Sequence, residues 1–339
     1  MQMLIDVVKA GEELSPDQIR VAVAWLANPA VESSKKGLFL EALHLKGETS
    51  TEIAAFTEAL LSLAVDPELD KASLSGPTLD VCGTGGDKLE LFNISTASMF
   101  VLAAGGVVVL KHGNRAITSK CGGADVLEAL GIRIELSPAD LRECVKRHGL
   151  GFLFAPAYHP AFRVIGPVRR GLADRGIPSV FNLLGPLLNP ARPEFQLVGV
   201  YSKELLRCYG EVLFQLGRTR AWAVHGCGAD ELTLAGPADI VSVEGSTLSI
   251  FKINPASLKL PYAPVEALRG GDRTENAALL EAILSGQETG PKSQVVALNA
   301  AAGFLVAGRA RNLADGLEKA NELLANGEAL AKLKALQSF

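Results

Sequence analysis

Apolar residues recur at helical spacing through about the first 70 positions of the chain. A helix is predicted to begin at Ser15, because Pro16 follows at the first helical position and Gln18 completes a capping box. Leucines in the segment 38–43 and apolar residues spaced through 53–63 predict two further helices. No strand pattern precedes Leu79, so the N-terminal part is expected to be helical.

Strand-like apolar runs alternate with helical segments from Leu79 onward. The predicted strands are Leu79–Cys82, Val107–Leu110, Gly151–Ala155, Gln196–Tyr201 and Ala221–His225, with a late hairpin at Asp239–Val243 and Thr247–Ile250. The predicted helices are Ser95–Ala104, Ala124–Leu130, Pro138–Arg147, Lys203–Leu216, Asn276–Leu284, Ser293–Val306 and Leu313–Leu336. This alternation predicts a mostly parallel sheet with helices on both faces.

These two halves define the predicted fold class and domain organisation. The chain is assigned to the α/β class, with a small helical domain at 1–76 and a large α/β domain at 77–339 that begins at Pro77. The region 167–193 holds five prolines and the apolar run VFNLLGPLLNP. Because proline interrupts regular elements, we expect this region to be a connection packed between the lobes, partly against the helical domain, near a cleft.

An uncharged run of twenty residues, Leu91–Leu110, is long enough to span a bilayer. Polar residues crowd one end of the run, and Gly105-Gly106 divides the remainder. A buried helix, a glycine turn and a buried strand account for this pattern better than a membrane span does.

The composition limits the cellular compartment and the kinds of binding partner that are expected for this protein. The net charge is -4 without a block of like charges, which argues against a nucleic-acid surface. Five scattered cysteines (82, 121, 144, 208 and 227) form no CxxC pair, and the N-terminal segment lacks the pattern of a secretory signal. A reduced, cytoplasmic protein is expected, with neither a membrane nor a nucleic acid as partner.

The motif GTGGD, Gly83–Asp87, follows the first predicted strand and precedes a helix start that carries Asn93, Ser95 and Thr96. Glycines allow backbone N–H groups to approach phosphate oxygens, and a helix N-terminus favours an anion. The spacing matches neither a P-loop nor a GxGxxG fingerprint. A phosphorylated ligand is the functional interpretation, and a tight turn without a ligand is the structural alternative.

The motif KHGNR, Lys111–Arg115, follows the second predicted strand directly. Ligands of open parallel sheets bind at the carboxyl ends of strands, where Lys111 offers a charge and Asn114 an amide. A solvated basic loop is the alternative interpretation.

Three other features are candidates for chemistry. The adjacent carboxylates Asp230 and Glu231 follow a strand and suit a hard divalent cation, although such pairs are also common at solvated helix starts. Arg169 could form a bidentate pair with a carboxylate. The alternative interpretation is that it is an ordinary surface arginine. His112 and His159 are candidate acid/base groups, with structural histidines as the alternative.

Taken together, the motifs resemble those of the anthranilate phosphoribosyltransferases, which act in tryptophan biosynthesis. The matching stretches span most of the chain: GTGGD at 83–87, FNIST at 92–96, KHGNR at 111–115, GGADVLEALG at 122–131, APAYHPAFR at 155–163, FNLLGPLLNPARP at 181–193, DELTLAGP at 230–237 and GGDRTENA at 270–277.

The resemblance implies a reaction, a metal, an assembly and a set of site residues. A 5-phosphoribosyl group would pass from phosphoribosyl pyrophosphate to the amine of anthranilate, with Mg²⁺ as cofactor, in a homodimer built through the helical domains. The residues implied for phosphoribosyl pyrophosphate are Gly83, Gly86, Asp87, Asn93, Ser95, Thr96, Lys111, His112, Gly113, Asn114, Arg115 and Ser119. Those implied for anthranilate are Gly83, Asn114, His159 and Arg169, and those for the metal are Ser95, Asp230 and Glu231. No catalytic residue is assigned, and His112 is the only candidate for a general base.

The chain departs from the family pattern at several places, three of which change side chains near the expected site. Lys88–Leu91 replaces a glycine-rich stretch, Gly123 stands where serine is common, and Pro178 lies where arginine is usual. The first two changes remove hydroxyl groups near the expected phosphate site. Two alternative functions stay open: a pyrimidine nucleoside phosphorylase on a similar scaffold, and a non-catalytic paralogue that binds nucleic acid.

Overall fold

The computed structural model describes residues 1–116 and 120–339. Its N-terminal helices are α1 (Gln2–Lys9), α2 (Pro16–Ala27), α3 (Ser33–Lys46) and α4 (Ser50–Leu61). The predicted capping box is confirmed, since the Ser15 hydroxyl accepts from Gln18 N–H and the Gln18 side chain accepts from Ser15 N–H. Helix α1 was not predicted, although its Leu4, Ile5 and Val8 lie on one buried face.

Seven strands in the described part of the chain form one sheet. They are β1 (Thr78–Gly83), β2 (Val108–Gly113), β3 (Leu150–Phe154), β4 (Phe195–Gly199), β5 (Arg220–Gly226), β6 (Ala238–Glu244) and β7 (Thr247–Ile253). The spatial order is β3-β2-β1-β4-β5-β6-β7, with parallel pairing from β3 to β5 and an antiparallel hairpin β6–β7. The predicted α/β fold class is confirmed, and strand ends differ from the predictions by up to 3 residues.

Helices cover both faces of the sheet. The further helices are α5 (Ile94–Ala104), α6 (Gly123–Ala129), α7 (Pro138–His148), α8 (Ala155–Tyr158), α9 (Phe162–Ala173), α10 (Phe181–Leu184), α11 (Leu206–Gln215), α12 (Arg273–Leu284), α13 (Pro291–Val306), α14 (Leu313–Ala325) and α15 (Glu328–Gln337). One core lies between the sheet and α5, α12, α13, α14 and α15. A second core joins the opposite face to α11, α9 and the four N-terminal helices.

The uncharged run 91–110 forms buried helix α5, a turn at Gly105-Gly106 and the start of strand β2, as expected from the sequence. Its helix packs between strands β1 and β2 and helix α13, where the apolar side chains are covered by protein. None of the helices in residues 1–116 and 120–339 combines the length and apolarity that a bilayer crossing requires.

Two elements differ from what the sequence suggested. The single predicted helix Leu313–Leu336 is divided at Gly327, whose φ of 82° lies in the left-handed region that ends helices. The region 167–193 was expected to be a connection packed between the lobes, and its first part belongs to α9, a helix that was not predicted and that contains Pro167. The proline content argued against a helix here, although the apolar residues Ile165, Val168 and Leu172 recur at helical spacing.

A buried ion pair ties the N-terminal helices together and generates a prediction. Lys46 Nζ lies 2.7 Å from Glu52 Oε2, and the two side chains are 6% and 0% exposed. Glu52 also accepts from the backbone N–H of Leu14, at 3.0 Å. Replacement of Glu52 by alanine leaves the buried ammonium group of Lys46 with only the Gly47 carbonyl oxygen and no opposite charge, and it leaves the buried N–H of Leu14 without an acceptor.

We expect Glu52→Ala to lower the free energy of unfolding by about 3–5 kcal/mol, measured by urea denaturation. The exposed pair Arg20–Asp17 supplies the control, since Arg20→Ala should cost less than about 1 kcal/mol. Equal losses in the two variants would contradict the prediction.

Candidate active site

Glycines at the ends of three strands make room for the segment that carries Asp230 and Glu231. A methyl group on Gly83 would overlap the Asp230 carboxylate, and one on Gly199 would overlap the Asp230 carbonyl group. A methyl group on Gly226 would overlap the Glu231 carbonyl oxygen. The carboxylate segment therefore lies directly on the carboxyl edge of β1, β4 and β5, with β1 and β4 forming the crevice where strand order reverses.

The two carboxylates are fixed by backbone donors of the first glycine turn and of helix α5. Asp230 Oδ2 accepts from the N–H of Gly85 at 2.7 Å, and Glu231 Oε1 accepts from the N–H of Ser95 at 3.1 Å. Lys111 Nζ donates to Ser95 Oγ at 3.1 Å and to the Val81 carbonyl oxygen. The structure thus brings together Ser95, Lys111, Asp230 and Glu231, which the sequence separates by up to 136 positions.

The surroundings of this carboxylate pair disfavour negative charge. Burial raises the pKa of Asp230 to about 7, and the neighbouring Asp87 carboxylate contributes to the rise. Burial and then the Asp230 charge raise the pKa of Glu231 to about 8, while Lys111 opposes this shift. Both residues are only partly buried as whole residues, but protein atoms closely surround their carboxyl groups.

The donor set fits a magnesium ion. Among the described residues, no three acidic, histidine or cysteine side chains form a preformed metal cage. Mg²⁺ is commonly held by one or two carboxylates, with water and substrate phosphate oxygens completing an octahedron. Asp230, Glu231 and the Ser95 hydroxyl supply such an incomplete set of oxygen ligands, and a cation would relieve the repulsion between the carboxylates.

Lys111 and His112 point to opposite faces of the sheet, as successive strand residues do. Lys111 meets Ser95 on the α5 face, whereas the His112 ring packs edge-on against His159 at 5.2 Å between ring centroids. Burial, the nearby His159 and Lys111 lower the pKa of His112 to about 3. His112 Nε2 has no hydrogen-bond partner in the part of the chain that the structure describes.

A series of ring contacts leads from His112 to Arg169. His159 packs against Phe162 at 5.7 Å, and Phe162 packs against Phe181 at 5.6 Å. The Arg169 guanidinium lies 5.8 Å from the Phe162 ring centre and 5.5 Å from that of Phe181. Its one hydrogen bond within the described chain is a long one, 3.4 Å to the Phe181 carbonyl oxygen, so most of its donors remain free for a ligand.

The remaining predicted residues are distributed around the first glycine turn and the end of β2. The Asn93 amide donates to Cys121 O and accepts from Asn276, both at 3.1 Å, so the protein already fixes its orientation. Thr96 is buried, and a methyl group on Gly123 would lie 3.2 Å from its hydroxyl oxygen. Gly83, Gly86, Asp87, Gly113 and Asn114 lie in the first turn and at the end of β2.

One predicted phosphate ligand, Arg115, is already engaged by another side chain. Arg115 forms a bidentate pair with Glu128 at 2.8 and 3.1 Å and stacks on Phe154, so a phosphate would compete with that carboxylate. Ser119 lies outside the described residues.

The departure at Lys88–Leu91 forms a tight loop that is anchored on both sides. Lys88 and Glu90 have φ values of 60° and 54°, and Asp87 accepts from Leu89 N–H at 3.1 Å. Leu91 pairs with Arg269, and Glu90 forms an ion pair with Lys120 at 3.0 Å. The loop is therefore shaped by contacts with its neighbours rather than by glycine.

Comparisons with known proteins identify the family to which the chain belongs. Residues 75–330 match the model of the family described as "Glycosyl transferase family, a/b domain". Residues 2–64 match the model described as "Glycosyl transferase family, helical bundle domain". An anthranilate phosphoribosyltransferase of Roseiflexus sp. (strain RS-1) is 44% identical over 335 residues, which is 98% of this chain and 96% of the relative. The chain belongs to the anthranilate phosphoribosyltransferase family. The resemblance inferred from the motifs is thereby confirmed.

Solved structures of the anthranilate phosphoribosyltransferase family extend the match to three dimensions. The enzyme from Thermus thermophilus superposes with a TM-score of 0.91 at 41% identity, covering 99% of this chain and 98% of that one. The enzyme from Saccharomyces cerevisiae in complex with PRPP and Mg has a TM-score of 0.87 at 27% identity, covering 99% and 97%. A further structure of the yeast enzyme is in complex with 4-fluoroanthranilate, with a TM-score of 0.85 at 26% identity.

Sequence reasoning missed several buried polar residues around this family site. Asp80 and Asn189 are both 0% exposed and hydrogen-bonded to each other, and Asn299 fixes the backbone of Leu232 beside the carboxylate pair. A lone aspartate in the apolar strand TLDVC was the only available signal for Asp80. The two asparagines lie in segments whose sequences give no indication of what they contact.

The raised pKa values of the carboxylate pair predict a pH-dependent stability. Both groups keep their protons more readily in the folded protein than in the unfolded one, where carboxyl pKa values are about 4. Their contribution to stability is therefore present at low pH and lost as the pH rises through about 7–8.

We expect the free energy of unfolding of the metal-free protein to fall by roughly 2–5 kcal/mol between about pH 5 and 9, measured by denaturant titration. The double substitution Asp230→Asn with Glu231→Gln should flatten most of this dependence. A wild-type profile that matched the double variant would show that the pair does not titrate in this range.

Proposed function

We propose that this protein transfers the 5-phosphoribosyl group of phosphoribosyl pyrophosphate to the amine of anthranilate, yielding N-(5-phosphoribosyl)anthranilate and pyrophosphate in tryptophan biosynthesis. The observation that carries this proposal is the division of the sheet edge at the end of β2. Lys111, Ser95 and the carboxylate pair lie on one face, whereas His159 and Arg169 lie on the other. The two faces are termed here the donor side and the acceptor side.

The donor side suits phosphoribosyl pyrophosphate. The backbone N–H groups of the glycine turn, the N-terminus of α5 and Lys111 all favour an anion. Of the residues predicted for phosphoribosyl pyrophosphate, the proposed ligands are Gly83, Gly86, Asp87, Asn93, Ser95, Thr96, Lys111, Gly113, Asn114, Arg115 and Ser119, whereas the His112 ring faces the acceptor side. The relative solved in complex with PRPP and Mg supports the ligand class.

Ser95, Asp230 and Glu231 are proposed to hold Mg²⁺. When bound, the metal supplies positive charge that stabilises the departing pyrophosphate. Lys111 would act on the same leaving group, because its ammonium lies 3.1 Å from the Ser95 hydroxyl.

The acceptor side suits an aromatic carboxylate. Arg169 combines a charged guanidinium with two adjacent phenyl rings, so it can pair with the carboxylate while the rings contact the aromatic ring of the ligand. Gly83, Asn114 and His159 are the other proposed contacts. The relative solved in complex with 4-fluoroanthranilate supports this choice of ligand.

The reaction is proposed to proceed without a strong general base. An aromatic amine is neutral near pH 7, so its nitrogen lone pair can attack without prior deprotonation and the proton is lost after the C–N bond forms. Correct placement of the two substrates therefore supplies most of the rate. His112 is a poor base because its pKa is lowered to about 3, so its neutral ring serves for packing and hydrogen bonding.

We further propose a cytoplasmic homodimer with domains 1–76 and 77–339. Four apolar side chains on helices α1, α2 and α3 are exposed by 58–79%: Met3, Val21, Leu38 and Leu45. Exposed apolar side chains grouped on one helical layer are typical of an interface, and light scattering on the purified protein tests the assembly.

The decisive experiment follows anthranilate fluorescence in the presence of the purified protein, phosphoribosyl pyrophosphate and Mg²⁺. A loss of fluorescence that depends on all three components is expected. No loss at high protein concentration would overturn the proposed function. Phosphorolysis of thymidine or uridine, or tight binding of a nucleic acid, would then favour one of the alternatives.

Arg169→Ala should affect the two substrates unequally. Loss of a charged, partly buried hydrogen-bond donor is expected to lower kcat/KM for anthranilate by roughly 100-fold, and KM for phosphoribosyl pyrophosphate should stay within about threefold. Its exposed neighbour Arg170 provides the control, because Arg170→Ala should leave both constants unchanged. Equal losses for both substrates would remove Arg169 from the acceptor side.

The double variant Asp230→Asn with Glu231→Gln should raise the Mg²⁺ concentration needed for half-maximal activity by about tenfold or more. Removal of both charges leaves only weak amide ligands for a hard cation. Substitution of the exposed pair Glu12→Gln with Glu13→Gln changes the net charge equally and should not move the metal titration. Identical titrations of the wild type and the double variant at 230 and 231 would exclude the carboxylate pair from the metal site.

A further inference from the structure

Strands β1 and β2 separate half-way along their length. The β1–β2 pairing in the described residues consists of Thr78 with Val108 and Leu79 with Val109, whereas β1 continues to pair with β4 as far as Gly83. Backbone groups of β2 beyond this point that face β1 therefore lack strand partners. Buried backbone groups need partners, so side chains must supply them.

Asp80 and Asn189 fill this gap. Asp80 Oδ1 accepts from the backbone N–H of His112 at 3.3 Å, and Asn189 Nδ2 donates to Leu110 O at 2.7 Å. The same Asn189 amide donates to Asp80 Oδ2 at 2.9 Å. Both side chains are fully buried, and together they connect the separated ends of the two strands.

The identity of Asn189 is set by its partners. Its Nδ2 group faces two acceptors, Asp80 and Leu110 O, while its Oδ1 accepts from Ala191 N–H at 3.0 Å. An amide satisfies all three contacts, whereas an ionised carboxylate would face two acceptors with no hydrogen to donate.

The same pair fixes the chain segment 185–189, which leads to the acceptor side. Leu188 O, adjacent to Asn189, accepts from His159 Nε2 at 2.8 Å. Gln196 Nε2 donates to Pro186 O at 2.6 Å from the opposite side of the segment. His159 in turn contacts His112 and Phe162, and Phe162 lies beneath Arg169.

Asp80 is a costly residue for stability alone. It is 0% exposed, and burial raises the pKa of its carboxyl group, while the charges of Lys111 and Arg218 oppose that rise without forming a salt bridge to it within the described chain. Arg218, itself 6% exposed, reaches it only through Gln196 and Cys82. A buried carboxylate without a direct ion pair contributes little net stability, but its hydrogen bonds fix the geometry of the groups around it.

We propose that Asp80 and Asn189 are positioning residues for the acceptor amine: they bridge the separated strands and hold His112 and His159, and through Phe162 Arg169, in place. The inference rests on the proposed function, because it assigns anthranilate to the side that these residues support. The donor side should be affected less, since Lys111 is held on the other face by Val81 O and Ser95 and interacts with Asp80 only through charge, without a salt bridge.

Steady-state kinetics of Asp80→Asn and Asn189→Ala test the inference. Asp80→Asn keeps the shape but places two amide donors face to face. Each variant should raise KM for anthranilate at least fivefold while KM for phosphoribosyl pyrophosphate stays within twofold. The control is Leu333→Ala in the buried face of α15, which destabilises the fold away from the site and should leave both KM values unchanged. Equal shifts for the two substrates, or unchanged KM values, would overturn the proposal.

A second measurement does not depend on activity. In protein labelled with [15N]histidine, the Nε2–H proton of His159 should exchange slowly in the wild type and rapidly in Asn189→Ala. Slow exchange in both proteins would overturn the positioning role. If the wild type failed to consume anthranilate while His159 responded to the substitution, the proposed function would fail and the structural coupling would stand.

Discussion

The close seating of the Asp230-Glu231 segment on three glycine strand ends is the constraint on which the rest of the site depends. It brings two carboxylates into the crevice between β1 and β4, where the N-terminus of α5 and Lys111 also arrive. Any side chain at Gly199 would displace the Asp230 backbone. The geometry of the donor side therefore follows from the absence of Cβ atoms as much as from the groups that are present.

The position of the Asp230-Glu231 segment places uncompensated negative and positive groups next to each other in the ligand-free protein. Asp230 and Glu231 repel each other, and burial disfavours the charge of both, whereas Lys111 and the amide groups of the glycine turn attract anions. If Mg²⁺ and phosphoribosyl pyrophosphate bind as proposed, the metal ion would neutralise the carboxylates and the pyrophosphate would neutralise the cationic groups. Binding of either ligand should therefore favour binding of the other, with little movement of the sheet.

Much of the fold and part of the site could be predicted from the sequence. The alternation of strands and helices and the buried run before Lys111 lie where the periodicity predicted them, and Lys111 lies at the end of a strand as expected. The break at Gly327 was missed because helical periodicity continues across it. The roles of Asp80 and Asn189 were also missed, since a buried hydrogen bond between residues 109 positions apart leaves no local pattern.

The opposite orientation of Lys111 and His112 has a consequence for any movement of the lobes. Neighbouring Cα atoms are about 3.8 Å apart by covalent geometry, so these two residues move as one body. Opening or closing of the helical layer cannot separate them. Because α9 shares a core with the N-terminal helices, such a movement would instead change the distance between Arg169 on α9 and the end of β2. The end of β2 therefore holds the groups that face the two substrates at a fixed spacing. A single residue inserted into β2 before Lys111 would send the Lys111 and His112 side chains to the opposite faces of the sheet.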